Sequence, residues 1–261
     1  MSISIANGIK QYYEIKGEGP PLLLVAGMGG TANYWDDQVN FFSKTFTVIT
    51  YDQRGTGRSD LSLVENIEQL RDDVLALLDG LGINKIHLIG HSTGGNIAQI
   101  IAIDNPEFLS KMVIYASTTH GDYYRSKVWR VRRSLLENQG PELYGDMSSL
   151  MLYPPRWIKE NAEKLESQQA TQMKMLAPVK VMTSRIEAVQ KFDRRDQLKN
   201  IFTPTLVICS EDDNQTPAYF SEELALKIKT SELVLMGYGG HACSRTMPDK
   251  FNKTVFEFLI K

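Results

Sequence analysis

Short, wholly apolar runs punctuate the chain, and most are too short to be helices. Leu22-Leu23-Leu24-Val25-Ala26 contains no polar residue, as a strand buried on both faces requires. Comparable runs lie at 47–51, 86–89, 112–116, 206–209 and 233–236. Ahead of them, residues 3–6 and 11–16 flank Asn7-Gly8, a dipeptide suited to two-residue hairpins because both positions tolerate positive φ. Between the runs the period becomes helical. Ile67, Leu70, Val74, Leu77 and Leu78 keep an i, i+3/i+4 stripe, and Ile97, Ile100, Ile101 and Ile103 continue a second one. Strands alternating with helices predict an α/β fold: a mostly parallel, eight-stranded sheet flanked by helices.

Residues 120–196 break the alternation. Val128, Val131, Leu135 and Leu136 read as helix, as does the stretch from Trp157 to Leu165, while Gly140-Pro141 and Pro154-Pro155 cut the segment into short pieces. The pattern predicts a helical cap over 120–196, inserted into a core made of 1–119 and 197–261. Met147, Met151, Met173, Met175 and Met182 fall in this segment, where methionine fills irregular apolar space.

Composition narrows the class by exclusion. Of 261 residues, 42% are apolar and 23% charged, and the net charge of −2 offers nucleic acid or an anionic membrane no general attraction. Two cysteines cannot build a disulfide framework, and no metal-ligand spacing or cofactor motif is present, so no metal and no cofactor is expected. The first residues lack the basic and apolar regions of a signal peptide, and no run reaches membrane-spanning length. These features predict a soluble, reduced, cytoplasmic protein; a small-molecule substrate is the expected partner, and a monomer or homodimer the expected state. Charge is uneven, however. Arg125, Lys127, Arg130, Arg132 and Arg133 cluster where the cap begins. They read as a solvated helix face. The sharper alternative is a guide for an anionic substrate, with Arg130 and Arg133 as the residues to replace.

The chemistry is concentrated in three places. Gly90-His91-Ser92-Thr93-Gly94-Gly95 follows one strand and opens the helix of Ile97, the setting in which G-x-S-x-G lifts a serine clear of a sheet. Ser92 is the candidate nucleophile, and it needs a base that is itself oriented by an acid. Glu211, Asp212 and Asp213 follow the strand 206–209 and supply the acid. His241, on the glycine-rich loop Gly237-Tyr238-Gly239-Gly240-His241, supplies the base after the last strand. His87 lies within a strand, His91 is the variable elbow residue, and His120 sits at the cap entrance as a pocket residue at most. Backbone amides of Thr93 and Met28 are the expected oxyanion donors, the latter on the loop Gly27-Met28-Gly29-Gly30. Gly27, His120, Trp157 and Met151 are the expected substrate contacts. Cys243, two residues past His241, reads as a packed thiol.

In this order of motifs the chain resembles the α/β-hydrolase family along nearly its whole length. The resemblance extends to Asp52-Gln53-Arg54-Gly55-Thr56-Gly57-Arg58-Ser59, where Asp52 and Arg54 are expected to form a structural ion pair. Among the three acids it favours Asp213, four residues before Pro217, and it implies a catalytic set of Ser92, Asp213 and His241. Relatives often place His-Gly where this chain has Ala26-Gly27, a change in the support of the oxyanion loop rather than in its donor. Tyr51 to Gly57, Leu152-Tyr153-Pro154 with Trp157, and Tyr238-Gly239-Gly240-His241-Ala242-Cys243 are similar to the pyrimidine-utilisation protein D group of aminoacrylate hydrolases. A looser similarity is to 3-oxoadipate enol-lactone hydrolases.

The first functional reading is therefore a serine hydrolase of small carboxylic esters or lactones. A carbon–nitrogen hydrolase or aminoacrylate-type deaminase is the second, and comparing esters, enol-lactones and an amide separates the two. The third is a ligand receptor on a hydrolase scaffold, which steady multiple turnover would exclude. A serine rather than an aspartate at the elbow argues against haloalkane dehalogenase or epoxide hydrolase chemistry.

Overall fold

The computed structural model describes residues 2–261. The chain opens with the hairpin β1 (Ser2–Ala6) and β2 (Ile9–Lys16), turned at Asn7 and Gly8, both at positive φ. Then come β3 (Pro21–Val25), α1 (Asp36–Phe42), β4 (Thr47–Tyr51), α2 (Ile67–Gly80), β5 (Ile86–His91), α3 (Thr93–Asp104) and β6 (Leu109–Tyr115). Five helices follow before the sheet resumes: α4 (Tyr123–Asn138), α5 (Pro141–Leu152), α6 (Pro155–Glu160), α7 (Ala162–Lys174) and α8 (Val179–Lys191). The chain ends with β7 (Thr205–Ser210), α9 (Tyr219–Lys227), β8 (Ser231–Met236), α10 (Cys243–Thr246) and α11 (Pro248–Ile260).

The eight strands form one sheet in the order β1-β2-β4-β3-β5-β6-β7-β8. Pairings of β1 with β2 and of β2 with β4 are antiparallel, and the rest are parallel. Leu22, Leu23, Leu24 and Val25 in β3 are wholly buried, their side chains alternating between the two faces. One face packs on α2, α3 and residues of α4 and α8, the other on Trp35, α1 and α11. Each such aliphatic side chain contributes roughly 1.5–3 kcal/mol by leaving water. No helix among the described residues is long and apolar enough to cross a membrane.

Three sequence expectations need correction. Asp52 and Arg54 do not pair with each other. Arg54 makes a two-pronged contact of 2.8 and 2.7 Å with Asp73 on α2, while Asp52 binds Arg58 at 2.8 Å and accepts from the Ala32 amide. Residues two apart in a tight turn need not present their side chains to each other, so each finds a partner elsewhere. The run 233–236 is not covered on both faces, because β8 is an edge strand and leaves Leu233 and Leu235 exposed. The stretch 157–165 is two helices rather than one, broken at Asn161.

Candidate active site

β5 ends in the turn that carries Ser92. Its backbone has φ 51° and ψ −113°, a region that a residue with a side chain enters only when its surroundings hold it there. The surroundings are close. A Cβ on Gly90 would run into the Gly94 carbonyl, and one on Gly94 into the carbonyl of Val25 on β3. Only glycine lets α3 start this near the sheet. Ser92 is half-buried, and its hydroxyl opens onto a cavity of about 340 Å³ between the strand ends and α4–α8.

His241 reaches the same cavity from the loop after β8. Its Nδ1 lies 2.9 Å from Asp213 Oδ2, with both side chains buried. A neutral ring that donates from Nδ1 to this carboxylate leaves the Nε2 lone pair free to take a proton. Asp213 is held in turn: its Oδ1 accepts from the Gln215 and Thr216 amides, both at 2.8 Å. Thr216 Oγ1 sits 2.9 Å from Asp213 Oδ2 and 3.0 Å from the Ala116 carbonyl. Asp212 turns elsewhere and accepts from the Gly240 amide at 2.8 Å, bracing the histidine loop. Ser92 and His241 share the cavity without a side-chain hydrogen bond between them among the described residues, and such contacts commonly tighten only when substrate is bound.

Met28 and Thr93 flank Ser92, and among the described residues neither amide has an acceptor within the protein. Thr93 also opens α3, where amides are free by helix geometry and the helix dipole favours negative charge. Gly27 lines the cavity as expected, and a Cβ there would lie 3.1 Å from both Ser92 Cβ and His91 Nδ1. The other expected contacts are not in the cavity lining. His120 forms an isolated bridge with Asp193, its Nδ1 beside Thr119 Oγ1 and Glu223. Trp157 stacks on Tyr153 with ring centres 4.6 Å apart, so Tyr153 lines the cavity in its place. Met151 is absent from the lining, whereas Met173, Met175 and Met182 form part of the wall.

Several residues that support this geometry carry no local sequence signal. His91 is one. Its Nε2 lies 3.0 Å from the His241 carbonyl, and its ring stacks on Tyr34 at 4.6 Å. Burial holds its pKa well below the usual histidine range, so the ring is neutral and Nε2–H donates. Tyr115, at the end of β6, donates to the same carbonyl at 2.9 Å. Arg185 on α8 is the second. It is fully buried, and its guanidinium donates to the carbonyls of Met28 and Arg54 and to Gln53 Oε1. Gln53 Nε2 donates in turn to the Ala26 carbonyl at 2.7 Å. A residue of the helical insertion thus grips the loop that carries Met28.

The basic run of α4 is not one solvated face. Arg130 is exposed and Arg133 pairs with Glu137 and Glu187, but Arg125 and Arg132 are buried. Only Arg132 of these lines the cavity. Cys243 is packed in the core, and burial pushes its thiol up to about 12. A second groove, about 470 Å³, runs between Asn66 and Gln197 and contains none of the candidate residues. Among the described residues no cluster of three or more His, Cys, Asp or Glu side chains could hold a metal ion.

A mostly parallel sheet with a serine elbow, a histidine loop after the last strand and an acid loop after the one before defines a class. The chain matches the α/β hydrolase fold family over residues 20–243, and it belongs to that family of hydrolases. Over 248 residues it is 37% identical to the provisionally named carbamate hydrolase RutD of Azorhizobium caulinodans, covering 95% of this chain and 94% of that one. In structure it is similar to the enol-lactonase of Burkholderia xenovorans LB400, with a TM-score of 0.93 and 26% identity over the full length of both. It is also similar to a thermophilic esterase from Thermogutta terrifontis, with a TM-score of 0.87 and 25% identity over 99% of this chain and 97% of that one.

Proposed function

We propose that the chain is a serine hydrolase that cleaves a small carboxylic ester or lactone through an acyl-enzyme on Ser92. In this reading residues 120–196 are the cap and 1–119 with 197–261 the hydrolase core. One observation carries the proposal: a strained, cavity-facing serine shares its cavity with a buried histidine whose far nitrogen is bound 2.9 Å from a carboxylate. His241 Nε2 takes the Ser92 proton as Oγ attacks the carbonyl carbon. The Met28 and Thr93 amides receive the oxyanion, each such donor lowering the barrier by about 3–4 kcal/mol. His241 then protonates the leaving oxygen. Water enters, gives its proton to His241 and releases the acid, and Oγ recovers its proton. Asp213 keeps the proton on Nδ1 and stabilises the imidazolium.

The test is a fluorophosphonate label located by peptide mapping, followed by turnover of p-nitrophenyl esters. Labelling at Ser92 that is lost in His241→Ala is expected, whereas labelling elsewhere, or none, would overturn the assignment. A second reading, cleavage of a carbon–nitrogen bond, is supported by the full-length similarity to a protein named for carbamate hydrolysis. The same nucleophile and oxyanion donors would serve it. Side-by-side rates on an ester, an enol-lactone and a carbamate decide between the two.

A further inference from the structure

Arg132 is 5% exposed and lines the cavity that holds Ser92 and His241. Its partners are all neutral: Gln215 Oε1 at 3.0 Å, Ser148 Oγ at 2.9 Å and Tyr144 OH at 3.2 Å. The rings of Trp129 and Tyr144 lie 4.7 and 5.1 Å from its guanidinium carbon. No carboxylate among the described residues comes within ion-pair distance of it. Three of its five N–H donors are used, and Nε is buried without an acceptor, as is Trp129 Nε1 one turn earlier on α4.

A permanent charge taken out of water is costly unless an opposite charge meets it. At Arg54 and Arg185 that cost is met visibly, whereas Arg125, the other buried arginine without an ion pair, lies outside the cavity. Arg54 has Asp73, and Arg185 is surrounded by oxygen acceptors outside the cavity. The cavity lining contains one carboxylate, Asp36, which lies close enough to Arg245 to feel its charge. Arg132 is left unmatched at the wall where substrate must sit. At about 340 Å³ the cavity is at the small end of the range for single-ligand sites. A group bound at Arg132 is therefore part of the molecule attacked by Ser92.

We propose that Arg132 anchors a free carboxylate of the substrate, so that the chain acts on small acids carrying the scissile ester, lactone or amide at their other end. This rests on Ser92 being the nucleophile. Gln215 suits the role, since its side chain accepts from Arg132 while its amide donates to Asp213, fixing the anchor relative to the catalytic acid. The sequence places five cations on α4, and the fold selects this one.

The experiment compares mono-p-nitrophenyl glutarate with the neutral methyl p-nitrophenyl glutarate, which has the same leaving group. Wild type should prefer the acid in kcat/KM, and Arg132→Gln should lose roughly 10- to 100-fold of that preference, chiefly through KM. Arg132→Lys should keep part of it. Equal rates on both esters in wild type, or a preference unchanged in Arg132→Gln, would overturn the proposal. Glutarate should also protect wild-type Ser92 from a fluorophosphonate where neutral glutaramide does not, a readout that survives if the variants fail to fold. Equal protection by both, or by neither, counts against the anchor. Failure of Ser92 to take the label at all instead removes the nucleophile on which the anchor depends.

Discussion

Arg185→Met separates the loop of Met28, the proposed oxyanion loop, from the helix that grips it. The substitution keeps an unbranched apolar stem of similar reach and deletes four hydrogen bonds, two to the Met28 carbonyl and one each to the Arg54 carbonyl and Gln53 Oε1. Leaving three buried acceptors unpaired costs about 1–3 kcal/mol each. Against this, the variant no longer holds a charge in a site where burial already lowers the arginine to about 10. A net loss of about 3 kcal/mol follows, which for a chain of this size lowers Tm by about 6–12 °C. The activity effect is separate. Met28 loses the contact that fixes its carbonyl, and the loop loses a restraint one peptide plane beyond the Met28 amide; outright removal of one oxyanion donor costs roughly 10²–10³ in kcat. Differential scanning calorimetry and steady-state hydrolysis of p-nitrophenyl acetate, assayed well below the new Tm, read the two effects. Expected is a fall in kcat of about 10²-fold with KM little changed. A Tm drop with kcat within twofold of wild type would refute the coupling and leave Arg185 as a brace only.

Other substitutions probe the remaining parts. Ser92→Ala and His241→Ala should each retain no more than a few per cent of wild-type turnover, measured with enzyme at micromolar concentration. Asp213→Asn, which permits the wrong tautomer at His241, should lower kcat by about 10⁴-fold while the far-UV spectrum stays native. The depressed pKa of His91 means that the unfolded chain binds a proton the folded chain refuses as pH falls below about 6.5. Folding stability should therefore decline there by up to about 1.4 kcal/mol per pH unit from this group, and urea titrations at pH 7.5 and 5.5 should show a smaller decline in His91→Gln. Cys243, pushed up to about 12, should resist iodoacetamide at pH 8 in the native protein and react once it is unfolded.

What could be read before folding was whatever depends on neighbours in the chain. The elbow is legible because its glycines sit within two or three residues of Ser92, and the strands because burial on both faces leaves an unbroken apolar run. Chain order then puts the candidate acid and base, Asp213 and His241, on the last two sheet loops. Pairings across the fold were not legible. Nothing near Arg54 points to Asp73, 19 residues on, and the nearer Asp52 is a natural but mistaken partner. Periodicity also fails to orient Arg132, because a basic run on a helix looks the same whether its inward members meet a cavity or solvent. His91 occupies the variable position of its motif, yet its ring reaches a carbonyl 150 residues away.

The double attachment of Gln215, to Arg132 through its side chain and to Asp213 through its amide, bears on how such enzymes can be re-engineered. Exchanging the α4–α8 segment between relatives is an obvious route to altered selectivity. Here the donor segment would have to present a compatible partner to residue 215, and another to the loop at Met28, or the recipient scaffold would inherit a displaced acid and a slack oxyanion loop. Chimeras that carry positions 132, 185 and 215 across as a set should retain turnover more often than those that move the helices alone.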